Sequence, residues 1–252
     1  MKFFHYLFLS IINIFKRRFL FYFHINENHN YLFSLQELQF LRINHHVRFL
    51  RYKKSIKDRV FKVGNAYLLN KIDFKEQVNV IDCGSNIGEI GIYLKKRNIN
   101  FDYYCFEPLK AARDCLKFNI PKAKIFNFGL SNKTSKKTFY IKNDTNDSSL
   151  IPPSSFDSKI TIDCKRLDEI EAIKNLSSIY LIKIDAEGFE PEVLTGALNI
   201  LSKTKFISVD CGPERNNQST DELVNEIIKD NFHLVERNYD RGVLLFKNKI
   251  LD

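Results

Sequence analysis

Three short segments carry the residue types and spacings that could do chemistry. In Val80-Ile81-Asp82-Cys83-Gly84-Ser85-Asn86-Ile87-Gly88 an apolar run ends in an acid, turns through a glycine and enters a helical pattern. Small residues at such a corner let a ligand approach the backbone, and the N–H groups of the helix start stay free to donate. The glycines are spaced GxxxG, not the GxGxxG that seats a dinucleotide pyrophosphate, which disfavours a nicotinamide oxidoreductase. An acid before the turn suits a ligand that carries an ammonium group. Glu107, followed by Pro108, closes the next apolar run. A carboxylate there can accept hydrogen bonds from both hydroxyls of a ribose.

The third segment is Lys183-Ile184-Asp185-Ala186-Glu187-Gly188-Phe189-Glu190, an apolar strand pattern ending in two acids spaced i, i+2 beside a glycine. Ligands bind beyond the carboxyl ends of parallel strands, so Asp185 and Glu187 should border the cleft opened by the first segment. Crowded carboxylates can raise one pKa and create a base near neutrality, or can coordinate a divalent cation through oxygen. Asp185 is the first candidate for a base and Glu187 the second; a metal ion at the pair is left open. A helix-capping role for one acid is the plainer alternative. Glu190 and Glu192 read as dipole partners in a helix's first turn, and Lys183 as a side chain packed along its strand. Asp210, at the end of a later apolar run, is either a third cleft carboxylate or a turn acid.

The elements that position these residues follow from periodicity. From residue 77 short β-rich runs alternate with helical ones, which argues for βαβ units and a parallel sheet. Strands are predicted at 78–83, 103–107, 124–128, 178–185 and 206–210, with helices near 87–97, 109–119, 190–202 and 219–230. Two further strands, 232–238 and 242–247, close the chain as an antiparallel hairpin. An insertion over 137–165 holds two β-like runs around Pro152-Pro153.

Length and composition bound the alternatives. The chain has 252 residues, 44% hydrophobic and 27% charged, enough for a sizeable core and against wholesale disorder. Residues 1–70 carry 12 Lys/Arg against 3 Asp/Glu, and residues 71–252 carry 27 of each, so the whole formal +9 belongs to the first segment. A basic, aromatic-rich and mainly helical N-terminal extension over 1–70, followed by an α/β domain over 71–252, is the organisation expected.

Within that extension, residues 3–23 form the most aromatic stretch, and Lys16-Arg17-Arg18 interrupts it. The apolar run Phe3–Phe15 is too short to span a bilayer and predicts a helix on an anionic membrane, or one packed on its own domain. Residues 34–54 read as a second basic helix, with Ser34 as N-cap and Glu37 at the capping-box position. His45 and His46 are adjacent and point apart on a helix, so they are not expected to form a metal site. Residues 58–70 alternate around Gly64-Asn65 like a hairpin. Five cysteines without a CxxC pair indicate a reducing compartment, with the cytoplasmic side of a membrane the default.

The motifs VIDCGSNIGEIG, CFEP, NFGLSN, TIDCKRLDEI and above all IKIDAEGFEPEVLTGA together resemble the FkbM family of methyltransferases, over about residues 78–248. The resemblance implies a Rossmann-like class I methyltransferase fold: a mostly parallel seven-stranded sheet ending in an antiparallel hairpin. It also implies S-adenosylmethionine as cofactor and O-methylation, often of sugars in glycolipid, polysaccharide or natural-product pathways. By position, Asp82, Gly84, Asn86 and Gly88 would line the methionine end and Glu107 the ribose. The stretch from Asn127 through Gly129 to Leu130 would lie near adenine, and Asp185 and Glu187 would face a hydroxyl-bearing acceptor, a saccharide by preference. An RNA methyltransferase is a rival, but the basic segment is phenylalanine-rich rather than a compact Lys/Arg block, so no nucleic acid partner is expected. A non-catalytic scaffold is a second rival, and the intact acids at 82, 107, 185 and 187 argue against it. Residues 1–23 would set the enzyme peripherally on the inner face of a membrane.

Overall fold

The computed structural model of the chain describes residues 10–11, 20–26, 29–52, 54–74, 77–142 and 148–251. Its first strands are β1 (Leu20–Asn26), β2 (His29–Ser34) and β3 (Gln39–Ile43), paired antiparallel into a small sheet. This corrects the helix expected over 34–54. Period two wins there because Leu32, Leu41 and Ile43 are buried while Phe40 between them is exposed. Ser34 Oγ and Glu37 Oε1 do meet, at 3.3 Å, but across the β2–β3 turn rather than at a helix start. Asn119 then fastens β3, accepting from the Arg42 N–H at 2.8 Å and donating to the Arg42 carbonyl at 2.9 Å. Among the described residues of the remainder of that segment, a short 3-10 stretch, His46–Arg51, is all that is helical. Most of the membrane helix expected in residues 3–23 lies outside the described residues; Ser10 and Ile11 are helical, and residues 20–23 belong to β1.

The hairpin expected at 58–70 is also corrected: helix α1 covers Ile56–Ala66, with the Ser55 Oγ accepting from the Asp58 N–H at 2.9 Å. Ile56, Val60 and Val63 share its buried face. Gly64, which suggested a turn, permits a close helix crossing instead, since a Cβ there would lie 2.4 Å from the Tyr93 ring.

The α/β region follows the predicted order closely. It runs β4 (Val78–Cys83), α2 (Glu89–Lys96), β5 (Phe101–Phe106), α3 (Lys110–Asn119), β6 (Lys124–Phe126), β7 (Gly129–Leu130), β8 (Ser135–Ile141), β9 (Ser158–Lys165) and α4 (Glu171–Lys174). It continues through β10 (Ile179–Ile184), α5 (Glu190–Thr195), α6 (Leu198–Leu201), β11 (Thr204–Asp210), α7 (Asp221–Ile228), β12 (Phe232–Asn238) and β13 (Val243–Asn248). Seven strands form one sheet in the order β12-β13-β11-β10-β4-β5-β6, with β13 antiparallel to both neighbours and the rest parallel. The two runs of the insertion become β8 and β9, which join β7 in a separate sheet, β7-β9-β8.

Alternation divides the core between the two faces of the large sheet. Val78, Val80 and Leu181 join one apolar cluster, Ile81, Cys83 and Ile182 the other. The first cluster also takes in Leu20, Leu32 and Leu41 of the small sheet, Val60 of α1 and Tyr93 of α2, so a single apolar core runs across residue 70. All five cysteines are free and buried. Among the described residues no helix is long and apolar enough to cross a membrane.

Candidate active site

The site forms where β4, β5 and β10 end side by side. The Gly84 and Ser85 N–H groups donate to the Phe106 carbonyl at 3.0 and 3.3 Å, which folds the loop after β4 over the end of β5. Gly84 is required at this bend: its φ is +71°, and a Cβ would stand 2.0 Å from the Asp185 carbonyl oxygen. Glu107 follows β5 and is buried, 6% exposed. Its Oε2 accepts from the Asn86 N–H at 3.0 Å and its Oε1 from the Leu109 N–H at 2.8 Å. Burial pushes the Glu107 carboxyl above its ordinary pKa against the pull of those bonds. Each oxygen keeps a second lone pair for a hydroxyl donor. Asn86 Oδ1 is buried and meets no donor among the described residues.

These groups open on a cleft of about 670 Å³. Gly84, Asn86, Glu107 and Asp185 form its polar wall, and Phe106, Leu109, Leu130, Phe139, Leu150 and Ile162 its apolar wall. Phe139 and Ile162 come from the β7-β9-β8 sheet, which therefore contributes to the apolar wall. The arrangement suits a nucleoside with a charged tail: ribose hydroxyls on Glu107, an ammonium on Asn86 Oδ1, a flat base among the apolar side chains.

A second cleft, of about 610 Å³, shares Gly84, Asn86, Asp185 and Glu187 with the first. Lys183 lies at its floor. Its Nζ sits 3.0 Å from Asp82 Oδ1, 3.1 and 3.0 Å from the Cys83 and Gly84 carbonyls, and 3.8 Å from Asp185 Oδ2. Burial alone would lower the Lys183 pKa, but the Asp82 and Asp185 charges raise it above its ordinary value. Lys183 is thus no passive strand residue. Asp82, expected to face a ligand ammonium, is among the residues lining this second cleft; it is fully buried and held by Lys183 and by the Tyr103 hydroxyl. Its carboxylate braces the corner from beneath, a role invisible in sequence because it depends on the β4–β10 register that pairs Asp82 with Lys183.

Asp185 is also held by Tyr67, whose hydroxyl donates to Asp185 Oδ2. Tyr67 follows the last turn of α1 and is fixed by Ser208 Oγ, which donates to the Tyr67 carbonyl at 2.6 Å. Its ring lies between Lys183 Nζ at 5.0 Å and the Arg241 guanidinium at 5.5 Å. Burial first, and then the Asp185 charge, push the Tyr67 pKa well above its ordinary value, so the phenol stays protonated and donates. The far wall of this cleft comes from Arg48, Arg59 and Glu89; Glu89 meets Arg59 at 2.8 Å and Arg48 at 3.4 Å. Burial would raise Glu89, but the two arginines hold its carboxyl below the ordinary range.

Glu187 borders both clefts and a third, more open one of about 940 Å³ whose other walls include Lys142, Ser149, Asp210, Glu214, Asn217 and Arg241. Its backbone is left-handed, φ +51°, an uncommon conformation for Glu that clusters at functional sites. The loop is over-determined. Glu190 Oε1 accepts from the Ala186 and Gly188 N–H groups at 3.1 and 3.0 Å, and Ser149 Oγ donates to the Glu187 carbonyl at 2.7 Å. Glu190, expected only as a helix-dipole partner, is therefore the internal brace of the acid loop. Asp210 proves to be a cleft carboxylate, ion-paired with Arg241 at 2.9 Å.

Of the remaining expected residues, Gly129 and Leu130 line the first cleft. Gly88 and Asn127 line none of the clefts described. Gly88 starts α2 against Leu116, where a Cβ would come within 2.5 Å, and Asn127 sits on an exposed bend after β6. Tyr67, Tyr103 and Arg241 went unnoticed in sequence, having no motif around them. Among the described residues no group of three or more His, Cys, Asp or Glu is placed to hold a metal ion.

Comparison with known proteins matches the family model of the methyltransferase FkbM domain to residues 82–238. The chain is 27% identical over 147 residues to 2-O-methyltransferase NoeI of Sinorhizobium fredii, covering 51% of this chain and 60% of that protein. It is 25% identical over 148 residues to Methyltransferase 1 of Beauveria bassiana, covering 49% and 59%. The chain thus spans about 60% of the length of the curated relatives it matches. Among solved structures, a TehB-like SAM-dependent methyltransferase of Corynebacterium glutamicum aligns over 74% of this chain and 88% of that one, at 14% identity and a TM-score of 0.41.

Proposed function

This chain belongs to the FkbM family of methyltransferases, and on that premise we propose that it O-methylates a hydroxyl of a saccharide with S-adenosylmethionine as donor. The family supports the donor; the relative named as a 2-O-methyltransferase supports oxygen as the acceptor atom. The observation that carries the reading is the shared wall of the clefts. A cleft with an apolar wall and the Glu107 carboxylate opens past Gly84 and Asn86 onto two further carboxylates, and one of them, Glu187, also faces an open polar cleft able to take a polyhydroxylated acceptor.

When bound, the cofactor supplies an electrophilic methyl group on a sulfonium. Glu107 would hold the ribose, Asn86 the ammonium, and Phe106, Leu130 and Ile162 the base. An alcohol is a poor nucleophile near neutrality, so a residue must take its proton as its oxygen bonds the methyl carbon and the carbon–sulfur bond breaks, the sulfur leaving with the electron pair as a neutral thioether. Asp185, kept in place by Tyr67 and Lys183, receives that proton, and Glu187 orients the hydroxyl from the junction of the clefts. Holding oxygen and methyl in line supplies much of the acceleration.

The test is calorimetry with S-adenosylmethionine and its demethylated product, followed by transfer of radiolabelled methyl to a panel of saccharides and to RNA. Binding of the cofactor and label on saccharide is the expected result. In that assay Asp185→Asn should bind cofactor as the parent does and transfer methyl about 10²-fold more slowly. Label on RNA alone would overturn the acceptor class. Activity abolished by a chelator and restored by Mg²⁺ would overturn the base role of Asp185.

A further inference from the structure

A half-covered antiparallel sheet ordinarily alternates apolar side chains inward with polar ones outward. The N-terminal sheet does not. Leu20, Leu32, Leu41 and Ile43 are buried inward, and the opposite parity carries Phe21, Phe23, Phe33 and Phe40. Their rings adjoin, with centroids 4.6 Å apart for Phe33–Phe40 and 6.4 Å for both Phe21–Phe33 and Phe23–Phe40. Phe23 and Phe40 are 46% and 51% exposed. The β2–β3 turn extends the patch through Leu35 and through Leu38, which is 79% exposed and sits at φ +48°. Contiguous exposed apolar surface of this kind marks an interaction site.

Charge selects the occupant. Glu37, the acid of that turn, meets Lys96 at 2.6 Å and accepts the Lys57 N–H at 3.0 Å. The turn thus abuts the start of α1, where the Lys54 and Lys57 side chains are exposed. The formal +9 belongs to residues 1–70, the segment that builds this sheet; of its described basic residues Arg48, Arg51 and Arg59 line the second cleft, whereas Lys54 and Lys57 stand exposed beside the turn. Aromatic and leucine side chains with exposed lysines beside their turn suit the headgroup–acyl boundary of an anionic bilayer; an apolar protein partner has no need of the charge.

We propose that the outward face of β1–β3, with the turn at 35–38, docks this protein on an anionic phospholipid surface. Phe23, Phe40 and Leu38 enter the interface and the neighbouring lysines meet headgroup phosphates. None of these side chains lines the three clefts described above, so cofactor affinity reports the integrity of the fold separately from docking.

The experiment is co-sedimentation of the full chain with phosphatidylcholine vesicles, with and without phosphatidylserine, for the parent and for Leu38→Glu combined with Phe40→Ser. The parent should sediment with the anionic vesicles, and high salt should release it. The double variant should bind about tenfold more weakly while keeping its circular dichroism and cofactor affinity. If that variant fails to fold, Leu38→Glu alone, on an exposed turn, serves the same comparison. Equal sedimentation of parent and variant, or a parent that ignores anionic vesicles, overturns the proposal. A dimeric parent with a monomeric variant and no lipid binding overturns it too, and assigns the face to self-association.

Discussion

The Tyr67 hydroxyl donates to Asp185 Oδ2 across 118 residues of sequence, joining the end of α1 to the carboxyl end of β10. Tyr67 precedes the family-matched region, which begins at residue 82, so a side chain from outside that region holds the carboxylate proposed as base. Tyr67→Phe removes one hydrogen bond to a charged group and leaves the packed ring. Methyl transfer should fall about tenfold or more, with cofactor affinity and fold unchanged. Turnover measured beside calorimetry decides it; unchanged turnover would remove Tyr67 from the chemistry.

Glu107→Ala should weaken cofactor binding by roughly 1.5–3 kcal/mol, about one to two decades in affinity. The same change strips acceptors from the Asn86 and Leu109 N–H groups, so a melting curve belongs beside the titration. Equal affinity for the two proteins would mean that the ribose binds elsewhere.

Lys183→Met strands the buried Asp82 carboxylate without its cation. Breaking a buried pair from one side costs about 3–5 kcal/mol, because a charge is left uncompensated. Adding Asp82→Asn to Lys183→Met should recover part of that loss. Urea midpoints of the two variants test this, and a single variant as stable as the parent would show that the pair is not a structural brace.

Glu190 ties stability to pH. Burial pushes its carboxyl from an ordinary 4.5 up to about 8, so between those values the folded chain holds a proton that the unfolded chain releases. Stability from this group is therefore present at low pH and declines as pH rises through that window, by up to about 1.4 kcal/mol per unit. Glu190→Gln should flatten the slope while still accepting from Ala186 and Gly188. Urea titrations across the window, parent against variant, read the difference directly.

Much of the site was legible before any coordinates. The β4 corner, Glu107 and the Asp185–Glu187 pair are local motifs, and chain order alone puts them at the same end of a parallel sheet, since βαβ units bring successive strand ends together. What failed was local as well. The segment 34–43 has the spacing of a capped helix, yet β3 pairs with β2 because that register buries Leu41 and Ile43, a long-range gain that propensity does not count. Gly64-Asn65 looked like a turn, because a glycine reads the same whether it bends the chain or admits a neighbouring ring.

The sequence by itself determined the α/β order of elements, the cleft acids and the concentration of positive charge in the first 70 residues, since each depends on residues close together in the chain. Only the tertiary structure decided that Asp82 pairs with Lys183, that Glu190 braces the acid loop and that Tyr67 reaches Asp185. Each of those contacts is set by strand register, loop closure or helix packing between residues that no short-range pattern links.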